Sequence, residues 1–377
     1  MDKTRPRGNS RVHGRRFPQI RLKILLFSAR LWTRFIRKCV LFLDGAEGMA
    51  ELTFLVSFFN SARFLPQCIR SLKAQTAADF VCVLVDDGST DGGREIAESE
   101  IADDARFSLI SHGRNLGLGA GRATGIDNTT TEYLTFIDCD DEIDEHTAET
   151  ILAAIKGQEA DLYVFDYSIK NERNEVRRIS GNAKSVQELF RNGDKRISHV
   201  WHKVYRTSLL KNMDLTFYRT VSFVEDLYLC TLSFMQSSRT VIVPESYYTY
   251  RYNVGSLVHS RTEKSIRENI AVLQRILAEE RLGEFPEIEE YIKDDSFYAF
   301  GQLIFPNKKN PFQWDGPHFE DWRRIDADRE VFIPAGAHPL VRLYVALIRA
   351  RRDRAAKAVW HVFRLREKAM KPKEKQL

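Results

Sequence analysis

The stretch "EYLTFIDCDDEID" (132–144) runs an apolar segment of strand length into five acidic residues, Asp138, Asp140, Asp141, Glu142 and Asp144. Two readings are open for such a junction. The acids form a solvated turn, or some of them hold a divalent cation against an anionic substrate. A set dominated by oxygen donors suits Mg²⁺ or Mn²⁺ better than zinc. Asp138 and Asp140 are one residue apart, so both can face one ion just past a strand. A lone D-x-D is common by chance, so its surroundings must decide.

Those surroundings are regular. "LTFLVSFF" (52–59), "FVCVLV" (80–85), "RFSLIS" (106–111) and "EYLTFI" (132–137) read as strands. Between them "ARFLPQCIRSLKAQ" (62–75), "REIAESEIA" (94–102) and "NLGLGAGRATGIDN" (115–128) read as helices or helix starts. Continuous apolar strands alternating with helices predict a parallel sheet covered on both faces. In such sheets the ligand site lies beyond the carboxyl ends of the strands. "SFFN" (57–60), "DDGSTD" (86–91) and "DCDDEID" (138–144) are therefore expected at one edge.

Further along, a helix over 144–156 capped by Asp144 is expected, then strands at 161–169 and 239–245. Ser185-Val-Gln-Glu188 and Ser265-Ile-Arg-Glu268 both fit capping boxes. Helices should fill most of 265–304, and 305–339 reads as irregular. A basic amphipathic helix is expected over 340–368.

Several residues remain ambiguous taken alone. Asp87 in "VDDGSTDG" (85–92) either accepts from a nucleobase or ribose, or makes an Asx-type turn. "GLGAG" (117–121) lacks dinucleotide-binding spacing, and its glycines fit a tight helix–strand approach better. Arg122 within it either faces a diphosphate or sits on a solvated helix face. Glu225 and Asp226, taken alone, read best as the acidic first turn of a helix over 225–236.

Charge is distributed unevenly. The net charge is +5, but residues 1–38 carry +11 and residues 339–377 carry +9, leaving −15 on the body between. Basic ends with apolar faces suit an anionic membrane surface. The acidic body and the lack of a nucleic-acid motif argue against nucleic acid. Five widely spaced cysteines without a C-x-x-C argue against a disulfide framework and a zinc site. No stretch is apolar for the roughly 18–20 residues of a membrane span.

The ordered series "VSFFNSARFLPQCIRSLKAQTAADFVCVLVDDGSTDGG", "NLGLGAGRATGI" and "EYLTFIDCDDEID" resembles the family 2 inverting glycosyltransferases, which have the GT-A fold. "WHKVYRTSLL" (201–210), "FVEDLYL" (223–229) and "YRYNVGSL" (250–257) continue the resemblance, which covers roughly 50–260. The chain departs at Gly121-Arg122-Ala123, where the family usually has Ala-Arg-Asn, and at Phe59, where it often has Tyr. The resemblance implies that Ser57 and Phe59 hold uracil and that Asp87 pairs with the base. It implies that Asp140 ligates the metal, while Asp138 reaches ribose or metal. Asp226 is then the catalytic base, with Glu225 the runner-up. Arg122 and Lys203 are candidates for the diphosphate, against a solvated or packed role. His259 is a candidate third metal ligand, against a surface histidine.

The expectation is thus an α/β GT-A domain over 49–260, its nucleotide half at 49–145 and its acceptor half at 146–260. A basic extension occupies 1–48, with Met49 standing where family members often begin, and a helical region occupies 261–377. The expected activity is metal-dependent, inverting transfer from a UDP-sugar to a glycan or lipid-linked acceptor in cell-surface polysaccharide synthesis. The expected location is the inner face of the cell membrane, on the cytoplasmic side. The rival expectation is an inactive GT-A-like domain that binds nucleotide-sugar as a scaffold. A nucleotidyltransferase would need a glycine-rich basic loop after the first strand, which "SFFNSARF" lacks.

Overall fold

The structure, a computed structural model, describes residues 50–171, 173–251 and 263–304, with a few positions between 342 and 355. The basic extension 1–48, His259, the irregular segment 305–339 and most of the expected helix 340–368 lie outside the described residues.

The first half alternates as expected. Its elements are β1 (Leu52–Phe58), α1 (Leu65–Lys73), β2 (Phe80–Asp86), α2 (Gly93–Glu100), β3 (Phe107–Ser111), α3 (Leu118–Asn128) and β4 (Tyr133–Asp138). All seven residues of β1 are buried. A strand hidden on both faces needs a layer above and below it, and alternate side chains supply both contacts. Phe54 and Val56 pack with Leu65, Ile69 and Leu72 of α1, while Leu55 packs with Ala123 and Ile126 of α3. Burying each of the larger side chains contributes about 1.5–3 kcal/mol.

β1 pairs in parallel with β2 and β4, and β2 with β3. The register sets Phe58 beside Asp86 and Ser57 beside Asp138. The three polar clusters therefore finish at one edge.

The second half is less regular. It contains β5 (Glu142–Ile143), α4 (Thr147–Gly157), β6 (Leu162–Lys170), β7 (Val176–Ile179), α5 (Val186–Arg191), β8 (Lys203–Arg206), α6 (Thr207–Lys211), α7 (Glu225–Gln236), β9 (Thr240–Arg251), α8 (Glu263–Leu277) and α9 (Pro286–Ile304). The sheet order is β3-β2-β1-β4-β8-β6-β9-β5, with β7 on β6. It is parallel through its first four strands. β8 then runs antiparallel to both β4 and β6, and β6 runs parallel to β9. β5, β7 and β8 are too short to carry a readable period.

Some expected boundaries move. α4 begins at Thr147, because the Asp144 carboxylate accepts from the His146 N–H in a turn before the helix. Ser185 does cap α5, accepting from the Glu188 N–H at 3.2 Å. Ser265 lies inside α8 rather than before it, since the helix is already running at Glu263. Among the described residues no helix is long and apolar enough to cross a membrane.

Candidate active site

β2 ends in two carboxylates with different tasks. Asp86 accepts from the Ser89 N–H at 2.8 Å, closing a turn through Gly88. Gly88 has φ +76°, and a Cβ there would lie 2.4 Å from the Arg114 backbone, so the turn requires glycine. Asp87 is buried. Its Oδ1 accepts from the Leu116 N–H at 2.9 Å and from His112 Nδ1 at 2.7 Å, and its Oδ2 accepts from the Gly117 N–H at 2.8 Å. His112 Nε2 in turn lies 3.0 Å from Thr124 Oγ1. Asp87 thus ties loop 112–117 to the sheet and keeps one Oδ2 lone pair. Phe59 and Leu116 stand at this edge with 43% and 45% exposure, high for apolar side chains.

The next element, α3, makes the close approach its glycines suggested. A Cβ on Gly119 would lie 2.1 Å from the Tyr218 carbonyl oxygen, and one on Gly121 would lie 2.2 Å from Ser57 Oγ. The Gly119 N–H also donates to the Val221 carbonyl at 3.2 Å. This packing carries Arg122 into the edge. Its buried guanidinium donates to Asp138 Oδ1 at 2.9 Å, to Glu225 Oε1 at 2.9 Å, and to Asp226. Glu225 and Asp226 open α7 just after Val224, whose φ of +62° is rare for a β-branched residue. Such a conformation costs on the order of 1–3 kcal/mol, held by its surroundings. The Val200 N–H donates to the second Asp226 oxygen at 3.3 Å.

A third set of contacts braces the acidic turn from behind. Tyr248 Oη accepts from the Asp138 N–H at 3.1 Å and donates to Asp141 Oδ2 at 2.7 Å. The Arg251 N–H donates to Asp141 Oδ1 at 2.8 Å, and Arg251 Nε donates to the Asp140 carbonyl at 2.9 Å. Trp201 stacks on the Tyr248 ring at 4.4 Å. Asp141 is therefore the turn's fully buried anchor. Tyr248 and Arg251 escaped the sequence reading. The available signal was "YYTYR" (247–251), polar-tipped residues alternating along a strand end.

The cluster is overcharged. Asp138, Asp140, Glu225 and Asp226 share this edge with Arg122, which leaves three negative charges if all ionise. Burial pushes the Asp138 carboxyl up to about 6, against the pull of Arg122 and with the help of Asp226 and Asp140. Its side chain keeps 30% exposure, so solvent moderates the rise. Burial, then Asp226, pushes Glu225 up to about 8. Burial opposes the Arg122 charge, but Asp226 and Asp138 outweigh it and hold the guanidinium well above its ordinary range.

Among the described residues no three His, Cys, Asp or Glu side chains form a ready cage for a metal. The residues still fit a hard dication that draws part of its shell from a phosphate. Asp138 and Asp140 offer oxygens at a partly exposed strand end, in surplus negative charge.

Of the remaining candidates, Ser57 lies beneath α3 beside Gly121. Lys203 does not join the cluster. Its ammonium is buried, donates to the Arg196 and His199 carbonyls at 2.8 and 2.6 Å, and lies 3.2 Å from His202 Nε2. Burial also pulls its pKa down.

Comparison with known proteins identifies the family. The Glycosyl transferase family 2 profile matches residues 53–214. EpsH of Bacillus subtilis (strain 168), whose name assigns it as a glycosyltransferase, is 30% identical over 265 residues, covering 67% of this chain and 75% of EpsH. The glycosyltransferase GlyA of Streptococcus pneumoniae serotype 4 is 28% identical over 228 residues, 57% of this chain but only 32% of GlyA. Among solved structures, S. aureus TarS 1-349 in complex with UDP-GlcNAc superposes with a TM-score of 0.61 at 19% identity, covering 84% of this chain and 92% of that one. The TarS likeness speaks for the fold. The chain belongs to glycosyl transferase family 2 and is a glycosyltransferase.

Proposed function

We propose that the protein moves a sugar from a nucleoside diphosphate, with UDP-sugars first in line, to a hydroxyl of a glycan or lipid-linked acceptor, with inversion. The observation that carries this reading is the convergence of carboxylates from β4 and α7 on Arg122, at the carboxyl edge of the parallel strands. The likeness to TarS, which was crystallised with UDP-GlcNAc, supports a uridine donor.

Phe59 offers a ring face for the base, and Ser57 and the remaining Asp87 lone pair offer polar contacts. Asp138 and Asp140 would hold Mn²⁺ or Mg²⁺. That ion, when bound, offsets the charge growing on the leaving diphosphate. The acceptor oxygen bonds to the anomeric carbon as the bond from that carbon to the phosphate oxygen breaks, and the nucleoside diphosphate leaves with the electron pair. The hydroxyl proton passes to Asp226, the more exposed of the α7 pair. Glu225, protonated near neutral pH, can donate to an acceptor oxygen and orient it.

The basic ends at 1–38 and 340–368 support attachment to the anionic inner face of a cell membrane. The test is nucleotide release from a panel of UDP- and GDP-sugars with Mn²⁺. Release from at least one donor is expected. A panel with neither release nor nucleotide binding would sink the reading.

A further inference from the structure

We propose that Arg122 is a positioning residue that couples the donor side of the site to the base, rather than a ligand of the diphosphate. The inference rests on the reading above. Arg122 is only 4% exposed, and it touches three carboxylates at once. One nitrogen serves Asp138 on the nucleotide half, and the other serves Glu225 and Asp226 on the acceptor half. Its guanidinium carbon also lies 5.8 Å from the Phe136 ring centroid, so packing restricts it from the sheet side.

The planar fork of a guanidinium fixes the spacing of partners on both its nitrogens; a lysine ammonium is a point charge and cannot. The backbone reinforces the link. Gly119, one turn before Arg122, is locked against the Tyr218 and Val221 carbonyls, just ahead of α7. α3 therefore holds the start of α7 through its backbone and the carboxylates of α7 through Arg122. Engagement of Asp138 by a nucleotide is felt at Asp226 through this one side chain. An arginine so committed has little left for phosphate oxygens.

The experiment compares Arg122→Lys and Arg122→Ala with wild type in the full chain. Binding of the nucleotide the wild-type donor releases, UDP or GDP, is measured with Mn²⁺ by calorimetry, beside kcat and donor KM. A displaced base costs on the order of 100-fold in turnover. The expected result is that loss of kcat, with nucleotide affinity and donor KM held within about threefold, since the removed contact serves the transition state. Added guanidinium, but not methylammonium, should restore turnover to Arg122→Ala. If the alanine variant does not fold, Arg122→Lys gives the same split. Nucleotide affinity falling in step with kcat, or unchanged turnover in Arg122→Lys, overturns the inference alone. A wild type inactive with every donor overturns the proposed function first, and this inference with it.

Discussion

Asp87 and Asp138 leave the same sheet edge on strands that flank β1, yet they live in opposite surroundings. Asp87 is enclosed by two backbone N–H groups and a histidine ring, all from one loop. Asp138 faces one shared guanidinium and further acids. The first carboxylate is satisfied by its own chain and orders a loop. The second belongs to a group whose charge the chain leaves unbalanced. A motif rich in Asp therefore says little until its partners are known, because what neutralises each carboxylate decides what it is free to do.

The largest expected effect lies on the unbalanced side. Asp226→Asn should lower turnover by about 10²–10⁴, the usual range for a lost general base, while leaving nucleotide binding nearly unchanged. Steady-state kinetics beside calorimetry would separate the two, and retained activity would remove Asp226 from its role.

The next effect is on stability. The Glu225 carboxyl is raised from its ordinary value of 4.5 to about 8 by burial and Asp226. A raised folded pKa means that the protonated form favours folding. Its contribution is full below 4.5 and is lost as pH climbs through about 8. The metal-free protein should lose melting temperature across that window, and Glu225→Gln should flatten the loss. A melting temperature equally pH-dependent in both proteins would contradict the assignment.

The smallest effect lies on the other side. Asp87→Asn replaces one acceptor oxygen with an amide donor that faces a fixed backbone N–H, and should cost about 1–3 kcal/mol of stability. It should also weaken nucleotide binding by no more than about tenfold, the worth of one hydrogen bond. Denaturant titration gives the first and calorimetry the second. A change in kcat larger than the change in binding would mean Asp87 acts in the chemistry.

The order of β1 to β4 was readable because β1, β2 and β4 are almost wholly buried, so their apolar runs are unbroken and bounded by polar turns, while β3, at the edge of the sheet, is only partly covered. Asp138, Asp140, Glu225 and Asp226 stood out as candidates because they sit at element ends. What stayed hidden depends on contacts across long sequence separations. Arg122 is 104 residues from Asp226, and Tyr248 is 107 from Asp141. No local period reports such pairs. Lys203 illustrates the converse: a basic residue in a suggestive motif spends its hydrogen atoms on nearby carbonyls.

If a dication and a nucleotide together complete the unbalanced carboxylates, UDP binding by wild type and Asp140→Ala, each with Mn²⁺ and with chelator, should differ. Mn²⁺ should tighten binding to wild type by about tenfold or more, or about 1.4 kcal/mol, and Asp140→Ala should abolish the difference. Equal affinity with and without Mn²⁺ in wild type would contradict that joint role.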